Sequence, residues 1–383
     1  MTPETIVIGA GPAGLATSAA LTRRGVPHVV LERGRQVGAT WANLYDSLVL
    51  HTARRLSALP GLPFPASTPQ FPTRLDFVAY LERYAQMFRV PVELGADVTS
   101  LRRANGDWIA RTSSGDERRA RTVVVATGIV ANPHVPSIPG RDLFRGRVLH
   151  SVDYRTPGEF AGQRVLVVGT GNSGGEIAAE IARAGARVTL AVRSGAMVVP
   201  REVAGIPIQY LSVVAGTLPT PAQRGLTAVM LKVSALVRGP AVLPLPPIVR
   251  PCANVPIIGF HLVDAIRAGT VQVKRGITAF TAEGLRFADD STAGFDTVLL
   301  ATGYRAAVGL LGDQISCDPC GFAERRDRVT SRDQPGLYFV GHNYGIQGGL
   351  FNIARDARLV AKGVTHRDTS RTSTGMRRPA SER

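Results

Sequence analysis

The chain sets short, wholly apolar runs against glycine-rich breaks and Ala/Leu-rich stretches, and it does so twice. In "TIVIGAGPAGLATSAALTRRG", four β-prone residues lead into Gly9-x-Gly11-x-x-Gly14 and then a helix-like stretch. "HVVLER" follows and ends on Glu32. Further on, Asn105-Gly106 and Ser114-Gly115 punctuate short strands as hairpin turns before an apolar run closes on Ala126-Thr127-Gly128. The second half repeats this order. "QRVLVVGTGNSGGEIAAEIARAG" carries Gly169-x-Gly171-x-x-Gly174, "RVTLAVR" ends on Arg193, and hairpin-like strands lead to Ala301-Thr302-Gly303. The repeat is one of architecture and predicts an α/β protein with two Rossmann-like dinucleotide-binding domains.

"PGLYFVGHNYGIQGGLFNIARDARLVAKG" reads as one more strand, Gly341, a loop and a helix starting near Gln347–Gly349. It completes the first domain. That domain is expected to be discontinuous, 1–155 and 300–366, with the second, 156–299, inserted between its parts. Segment 203–258 is apolar and Pro-rich. Core packing, pocket lining, contact with a membrane surface and a homodimer interface all stay open for it. Residues 367–383 read as a polar, disordered tail.

Composition narrows the partners. The 383 residues are enough for two cores. The formal net charge is +16, but Arg dominates: Lys232, Lys274 and Lys362 are the only Lys among 45 basic residues. The Arg residues are scattered and no nucleic-acid motif accompanies them, so nucleic acid is not expected as a partner. Three Cys make no disulfide framework. Cys317 and Cys320 form a CxxC that reads as a surface turn after the second Ala-Thr-Gly strand. The chain opens directly on a strand, and no clean apolar run of membrane-spanning length appears. A cytoplasmic protein without stable membrane insertion is expected.

Each glycine loop has a physical purpose. The first Gly allows a tight turn, the second admits a pyrophosphate, and the third lets helix and strand pack closely. The helix N-terminus then offers N–H groups to the phosphates. Glu32, 18 positions after Gly14, can accept from ribose hydroxyls, which suits the adenosine of FAD. Arg193, 19 positions after Gly174, brings positive charge where a 2′-phosphate would sit, which suits NADPH. Candidate cofactor contacts are Gly9, Gly11, Pro12, Ala13, Gly14, Glu32, Arg33, Thr40, Trp41, His51, Val98, Ala126, Thr127, Gly128, Gly169, Thr170, Gly171, Asn172, Ser173, Gly174, Arg193, Ala301, Thr302, Gly303, Tyr304, Gly341, His342 and Gln347, with the first glycine loop expected to hold FAD and the second NADPH. Trp41 either shapes the flavin's surroundings or fills a core. Asn172 either reaches the nucleotide or caps its helix. Thr127 and Thr302 either meet a cofactor or only end their strands.

"FRGRVLHSVDY" places Phe144, Gly146, His150 and Tyr154 in the pattern Phe-x-Gly-x-x-x-His-x-x-x-Tyr, just before the second glycine loop. In this the chain resembles the flavin-containing monooxygenases, the class B flavoprotein monooxygenases. The Trp that usually follows the His in Baeyer–Villiger relatives is absent. "YDSLVLHTARRLSALPGLPFP", "FPTRLDFVAYLERYA", "GTGNSGGEIA", "MVVPREVAG" and "ATGYR" are similar to the YUCCA-type subgroup. That subgroup carries a His at His51, where animal-type members have Asn, and Arg54 stands where those have Lys. The resemblance covers roughly residues 5–362 and is loosest over 205–258.

The resemblance implies that NADPH reduces FAD, that the flavin takes up O2 as a C4a-(hydro)peroxide, and that a small substrate is oxygenated. In the YUCCA-like branch that substrate is a 2-oxo acid such as indole-3-pyruvate, decarboxylated to the acetic acid. In the animal-like branch it is a soft nitrogen or sulfur atom. His51 and Asn172 are the catalytic candidates, His51 through a hydrogen bond near the flavin or as a ring packed beneath it. Phe144 and Tyr154 are expected as packing anchors, Gly146 as a turn, and His150 as a clip holding the crossing in register. No metal ligands are expected. A reductase of thioredoxin-reductase-like fold, or a non-catalytic nucleotide-binding regulator, would share the two-domain plan.

Overall fold

A computed structural model describes residues 4–215, 218–219, 221–223, 225, 228, 241–244, 256–343 and 348–374. The chain forms two units. The first comprises Met1–Asn43, Arg54–Ala131 and Ala306–Arg383, and the second Leu44–Ala53 and Asn132–Arg305.

In the first unit, β1 (Thr5–Ile8), β2 (His28–Glu32), β3 (Val92–Leu94), β7 (Thr122–Val125) and β20 (Leu337–Phe339) form a parallel sheet of order β20-β7-β1-β2-β3. "TIVI" and "TVVV" are wholly buried, as a parallel sheet covered on both faces requires. Helix α1 (Pro12–Thr22) packs between this sheet and α8 (Gly349–Thr374), so it is apolar all round. The short α2 (Ala39–Ala42) and α3 (Arg54–Ser57) follow. Helix α4 (Arg74–Met87) starts on a capping box, in which the Thr73 hydroxyl accepts from Asp76 N–H and the Asp76 carboxylate from Thr73 N–H. A small antiparallel sheet, β4 (Val98–Ala104), β5 (Asp107–Thr112) and β6 (Glu117–Ala120), turns at Asn105-Gly106, both at positive φ, as the sequence predicts.

The second unit repeats the plan. Its sheet runs β15 (Val271–Arg275), β10 (Arg187–Val192), β9 (Arg164–Val168), β19 (Thr297–Leu300), β8 (Arg147–His150), again parallel. Helix α5 (Asn172–Arg183) follows β9. The connection after β10 holds β11 (Val198–Val199), β12 (Glu202–Val203), β13 (Ile206–Pro207), α6 (Ile208–Ala215), β14 (Ile257–Ile258) and α7 (His261–Arg267). An antiparallel sheet of β16 (Ile277–Phe280), β17 (Gly284–Phe287) and β18 (Thr292–Gly294) precedes β19.

Three expectations change. The divisions fall after residues 131 and 305, not 155 and 299, because "RVLH" is itself β8 and pairs with β19. Residues 44–53, expected in the first domain, belong to the second unit, where Tyr45 is part of the core beside Tyr154 and Val167. Helix α8 runs on to Thr374, past the expected start of a tail at 367, since no Pro or Gly interrupts 364–374 and elongation costs little per residue. Residues 375–383, Gln347 and most of 203–258 lie outside the described residues. Among the described residues, no helix is long and apolar enough to cross a membrane.

Candidate active site

Both glycine loops lie at the carboxyl end of the central strand of their sheets, where ligands bind in open α/β folds. Gly9 (φ +102°) and Gly169 (φ +115°) take a conformation that side chains rarely adopt. A Cβ on Gly14 would stand 1.8 Å from the Gly9 carbonyl oxygen, and one on Gly174 would stand 2.2 Å from that of Gly169. A Cβ on Gly11 or Gly171 would meet nothing within 4 Å. The middle glycines are therefore not demanded by the protein's own packing. They leave space in front of helices α1 and α5, neither of which has a side-chain cap. Open space beside uncapped backbone N–H groups fits a pyrophosphate in each unit.

Around the first loop, Glu32 is buried at the end of β2, and its carboxylate accepts from Ala10 N–H at 2.6 Å and Gly34 N–H at 2.7 Å. A carboxylate has capacity left for ribose hydroxyls. Arg33 beside it is exposed. Ala126 N–H bonds Ile8 beside Gly9, and Gly341 approaches Ala13 at the start of α1, so these segments border the two ends of the first glycine loop. The Thr127 hydroxyl donates to the Ala307 carbonyl, and Gly128 accepts from Ala307 N–H. Thr40 and Trp41 are half-buried on α2, with the Trp41 ring edge-on to Phe77 at 4.5 Å. Val98 packs against the first unit's core. The His342 ring is itself a core side chain, 3 % exposed between Phe322 and Phe339. Arg54 donates to the carbonyls of Ala66 and Thr68 and so shapes that loop.

Around the second loop, Thr170 donates to Gly195 O at 3.1 Å and ties the loop to the turn that carries the exposed Arg193. Asn172 does not cap α5. Its Oδ1 accepts from Ile258 N–H at 2.8 Å. Thr302 donates to the His134 carbonyl, and Gly303 accepts from His134 N–H. Each Ala-Thr-Gly run thus uses its Thr to hold a neighbouring chain segment.

The four signature residues all serve the second unit. Phe144 packs on Phe280 at 5.4 Å. Gly146 is required by space: a Cβ there would meet Asp296 O at 2.7 Å. The Tyr154 hydroxyl donates to Glu180 at 2.8 Å. His150 Nδ1 accepts from Val152 N–H, so Nε2 carries the proton and donates to Gly303 O at 3.2 Å. The ring lies edge-on to Tyr304 at 5.1 Å, and the Tyr304 hydroxyl meets Ser151. His150 therefore clips the end of β8 to the loop after β19. His150→Ala is expected to lower stability by about 2 kcal/mol through the lost bonds and the cavity, and to weaken NADPH binding more than FAD content. Denaturant melts and nucleotide titration read both, and loss of FAD with NADPH binding intact would overturn it.

His51 lies in a polar cluster of the second unit that residue-type reasoning did not assemble. Its Nε2 is 3.6 Å from Glu176 Oε1. The Tyr45 hydroxyl donates to Glu176 Oε2 at 2.6 Å and meets Ser173. Arg201 is 3.7 Å from Glu176 Oε1. Tyr45 and Arg201 stand in stretches already singled out, and Glu176 five positions after Gly171, yet only the fold shows that they meet. Burial, then Arg201 and His261, push the His51 ring down to about 4. Burial, then Arg325, pushes His342 down to about 3.

Both rings are neutral at pH 7, while unfolded they titrate near 6.5. The unfolded chain then binds the extra protons. The stability these rings contribute is present above pH 6.5 and is lost as pH falls through about 4 for His51 and about 3 for His342. Near pH 5 the expected slope is about 1 kcal/mol per pH unit for each. Denaturant melts between about pH 7 and 5 check it, and a flat profile would refute it.

The pattern of the flavin-binding monooxygenase-like family matches residues 3–318. The chain belongs to this family. It is an NADPH-dependent flavoprotein monooxygenase using FAD and NADPH. Family relatives include the indole-3-pyruvate monooxygenase YUCCA1 of Oryza sativa subsp. japonica, 35% identical over 94% of this chain and 91% of that one. A flavin-containing monooxygenase from Stenotrophomonas maltophilia superposes with a TM-score of 0.76 at 27% identity, over 96% of this chain and 99% of that one. A bacillithiol disulfide reductase from Staphylococcus aureus shares the fold with a TM-score of 0.70 at 17% identity, over 96% and 99% of the two chains. The fold alone thus does not choose the reaction, and family membership does. Cys317 is a free, exposed thiol, so the CxxC of this family member is not a closed Cys317–Cys320 disulfide.

Proposed function

We propose that the first unit holds FAD, the second holds NADPH, and the substrate is a 2-oxo acid of the indole-3-pyruvate kind. The observation that carries the substrate class is the Tyr45–His51 stretch. It is the stretch that resembles the 2-oxo-acid branch, and Tyr45 and His51 at its ends meet one partly buried carboxylate, Glu176. The name of the rice relative, similar along nearly its whole length, supports the same class.

Bound FAD, reduced by hydride from NADPH, supplies the electrons that activate O2. The chain's own residues bind and orient. Glu32 accepts from the adenosine ribose of FAD, the α1 N-terminus meets its pyrophosphate, and Arg193 meets the 2′-phosphate of NADPH. His51, a neutral ring, hydrogen-bonds the nicotinamide nucleotide or the reacting oxygen. The 2-oxo acid, O2, NADPH and a proton give the acid one carbon shorter, CO2, NADP+ and water.

The test is turnover of indole-3-pyruvate under heavy-isotope O2. One labelled oxygen in the carboxylate of the acetic acid, with NADPH consumed in step, is the expected result. NADPH consumption that ignores the 2-oxo acid, with a thioether converted to labelled sulfoxide, would overturn the substrate class.

A further inference from the structure

Glu176 is a carboxylate that the glycine-loop logic leaves unused. It sits on α5 five positions past Gly171 and is 18% exposed. Two stretches far apart in sequence converge on it, Tyr45 and His51 from 44–53 and Arg201 from the turn after β11, while Ser173 on α5 itself meets Tyr45. Burial pushes the Glu176 carboxyl up, and the Tyr45 hydrogen bond and the Arg201 charge work against that rise, since a partly buried carboxylate is costly unless donors surround it. Here the donors divide between its oxygens. Tyr45 O–H takes Oε2, while Oε1 faces both Arg201 and His51 Nε2. Burial and the neighbouring carboxylate hold the Tyr45 hydroxyl in its protonated form, so that donor is fixed.

The His51 ring must then choose. A neutral imidazole has one N–H and one lone pair. Were the proton on Nδ1, the Nε2 lone pair would face a carboxylate oxygen at 3.6 Å, and the buried Nδ1–H would have no acceptor among the described residues. With the proton on Nε2, the N–H points to Glu176 and the lone pair is left on Nδ1, which is buried and without a partner among the described residues. An orphaned buried acceptor calls for a donor that arrives with a ligand. His51 stands in the unit whose glycine loop and Arg193 suit a nicotinamide nucleotide, and that molecule carries carboxamide N–H and ribose O–H donors.

We propose that Glu176 is a positioning residue: it fixes His51 as the Nε2–H tautomer, so that Nδ1 accepts a hydrogen bond from the carboxamide or a ribose hydroxyl of the bound nicotinamide nucleotide. The inference rests on the placement of His51 in the oxygenase's ligand site. A carboxylate selects the ring nitrogen that faces it in the same way wherever it holds a histidine. Lengthened contacts of this kind also tighten when a ligand closes the site.

The experiment reads the ring nitrogens of His51 by NMR in the FAD-loaded protein, with the signals assigned by their loss in His51→Asn. Wild type is expected to show a bare Nδ1 and a protonated Nε2, with Nδ1 shifting when NADP+ is added. Glu176→Gln keeps an acceptor for Tyr45 but can turn its amide N–H toward Nε2. It is expected to mix or reverse the tautomer and to raise the NADP+ dissociation constant about tenfold at unchanged FAD content. A proton on Nδ1 in the wild type overturns the inference with no variant needed. So does a Glu176→Gln protein whose ring signals and NADP+ affinity match wild type. Failure of the wild type to oxygenate a 2-oxo acid would instead remove the substrate reading and leave the ring-nitrogen result standing.

Discussion

Gly171→Ala is expected to raise the dissociation constant for NADPH by at least about tenfold while leaving the fold intact. Gly171 has φ −83°, which Ala adopts without strain, and its Cβ would enter open space. Taken alone, the change should even stabilise the chain by about 0.5 kcal/mol, because the unfolded state loses freedom. The cost falls on the ligand, since the methyl group occupies the approach of the pyrophosphate. Gly174→Ala is the opposite case. Its Cβ would lie 2.2 Å from a backbone oxygen and 3.2 Å from the Ala301 Cβ, so α5 must move off its sheet and the second unit should lose stability outright. The same pair recurs at Gly11 and Gly14, and there the affected ligand should be FAD. Thermal melts, flavin absorbance and NADPH titration of the four variants separate the outcomes. Unchanged NADPH binding in Gly171→Ala would show that no pyrophosphate passes this glycine.

These glycines also show what the sequence could reveal. The tight turn, the close approach and the open position are each local to six residues, so periodicity and spacing alone located both loops and both sheets' central strands. The unit boundary was not local. "RVLH" falls within the first domain when the limit is set just before the second glycine loop, yet β8 is the edge strand of the second unit. Its counterpart in the first unit, β20, comes near the end of the chain, so the repeat is permuted rather than tandem. Similarly, "YDSLVLH" interrupts the first unit in sequence but belongs to the second. Its signal was present in the spacing of Tyr45 and His51 but had no meaning without Glu176. A partly buried carboxylate on an amphipathic helix cannot be told from a solvated one by pattern alone.

His51→Ala is expected to lower product formed per NADPH consumed by about tenfold, with the missing equivalents released as hydrogen peroxide and FAD content unchanged. Burial, with Arg201 and His261 nearby, holds His51 neutral, titrating only near pH 4, so it cannot act as a proton donor in the neutral range. Its contribution is a fixed lone pair and a fixed N–H, and both vanish with the ring. Ala also opens a polar cavity beside Glu176 that water can enter, and water in an oxygenase site favours loss of peroxide over transfer of oxygen. His51→Asn should restore part of the coupling, because an amide carries both an N–H for Glu176 and an acceptor oxygen. A further consequence is the shape of the pH profile: coupling in the wild type should not titrate with His51 between about pH 6 and 8. A wild-type profile that steps near neutral pH and flattens in His51→Ala would mean that the ring gains and loses a proton during turnover, and the reading of His51 as a neutral hydrogen-bonding group would fall.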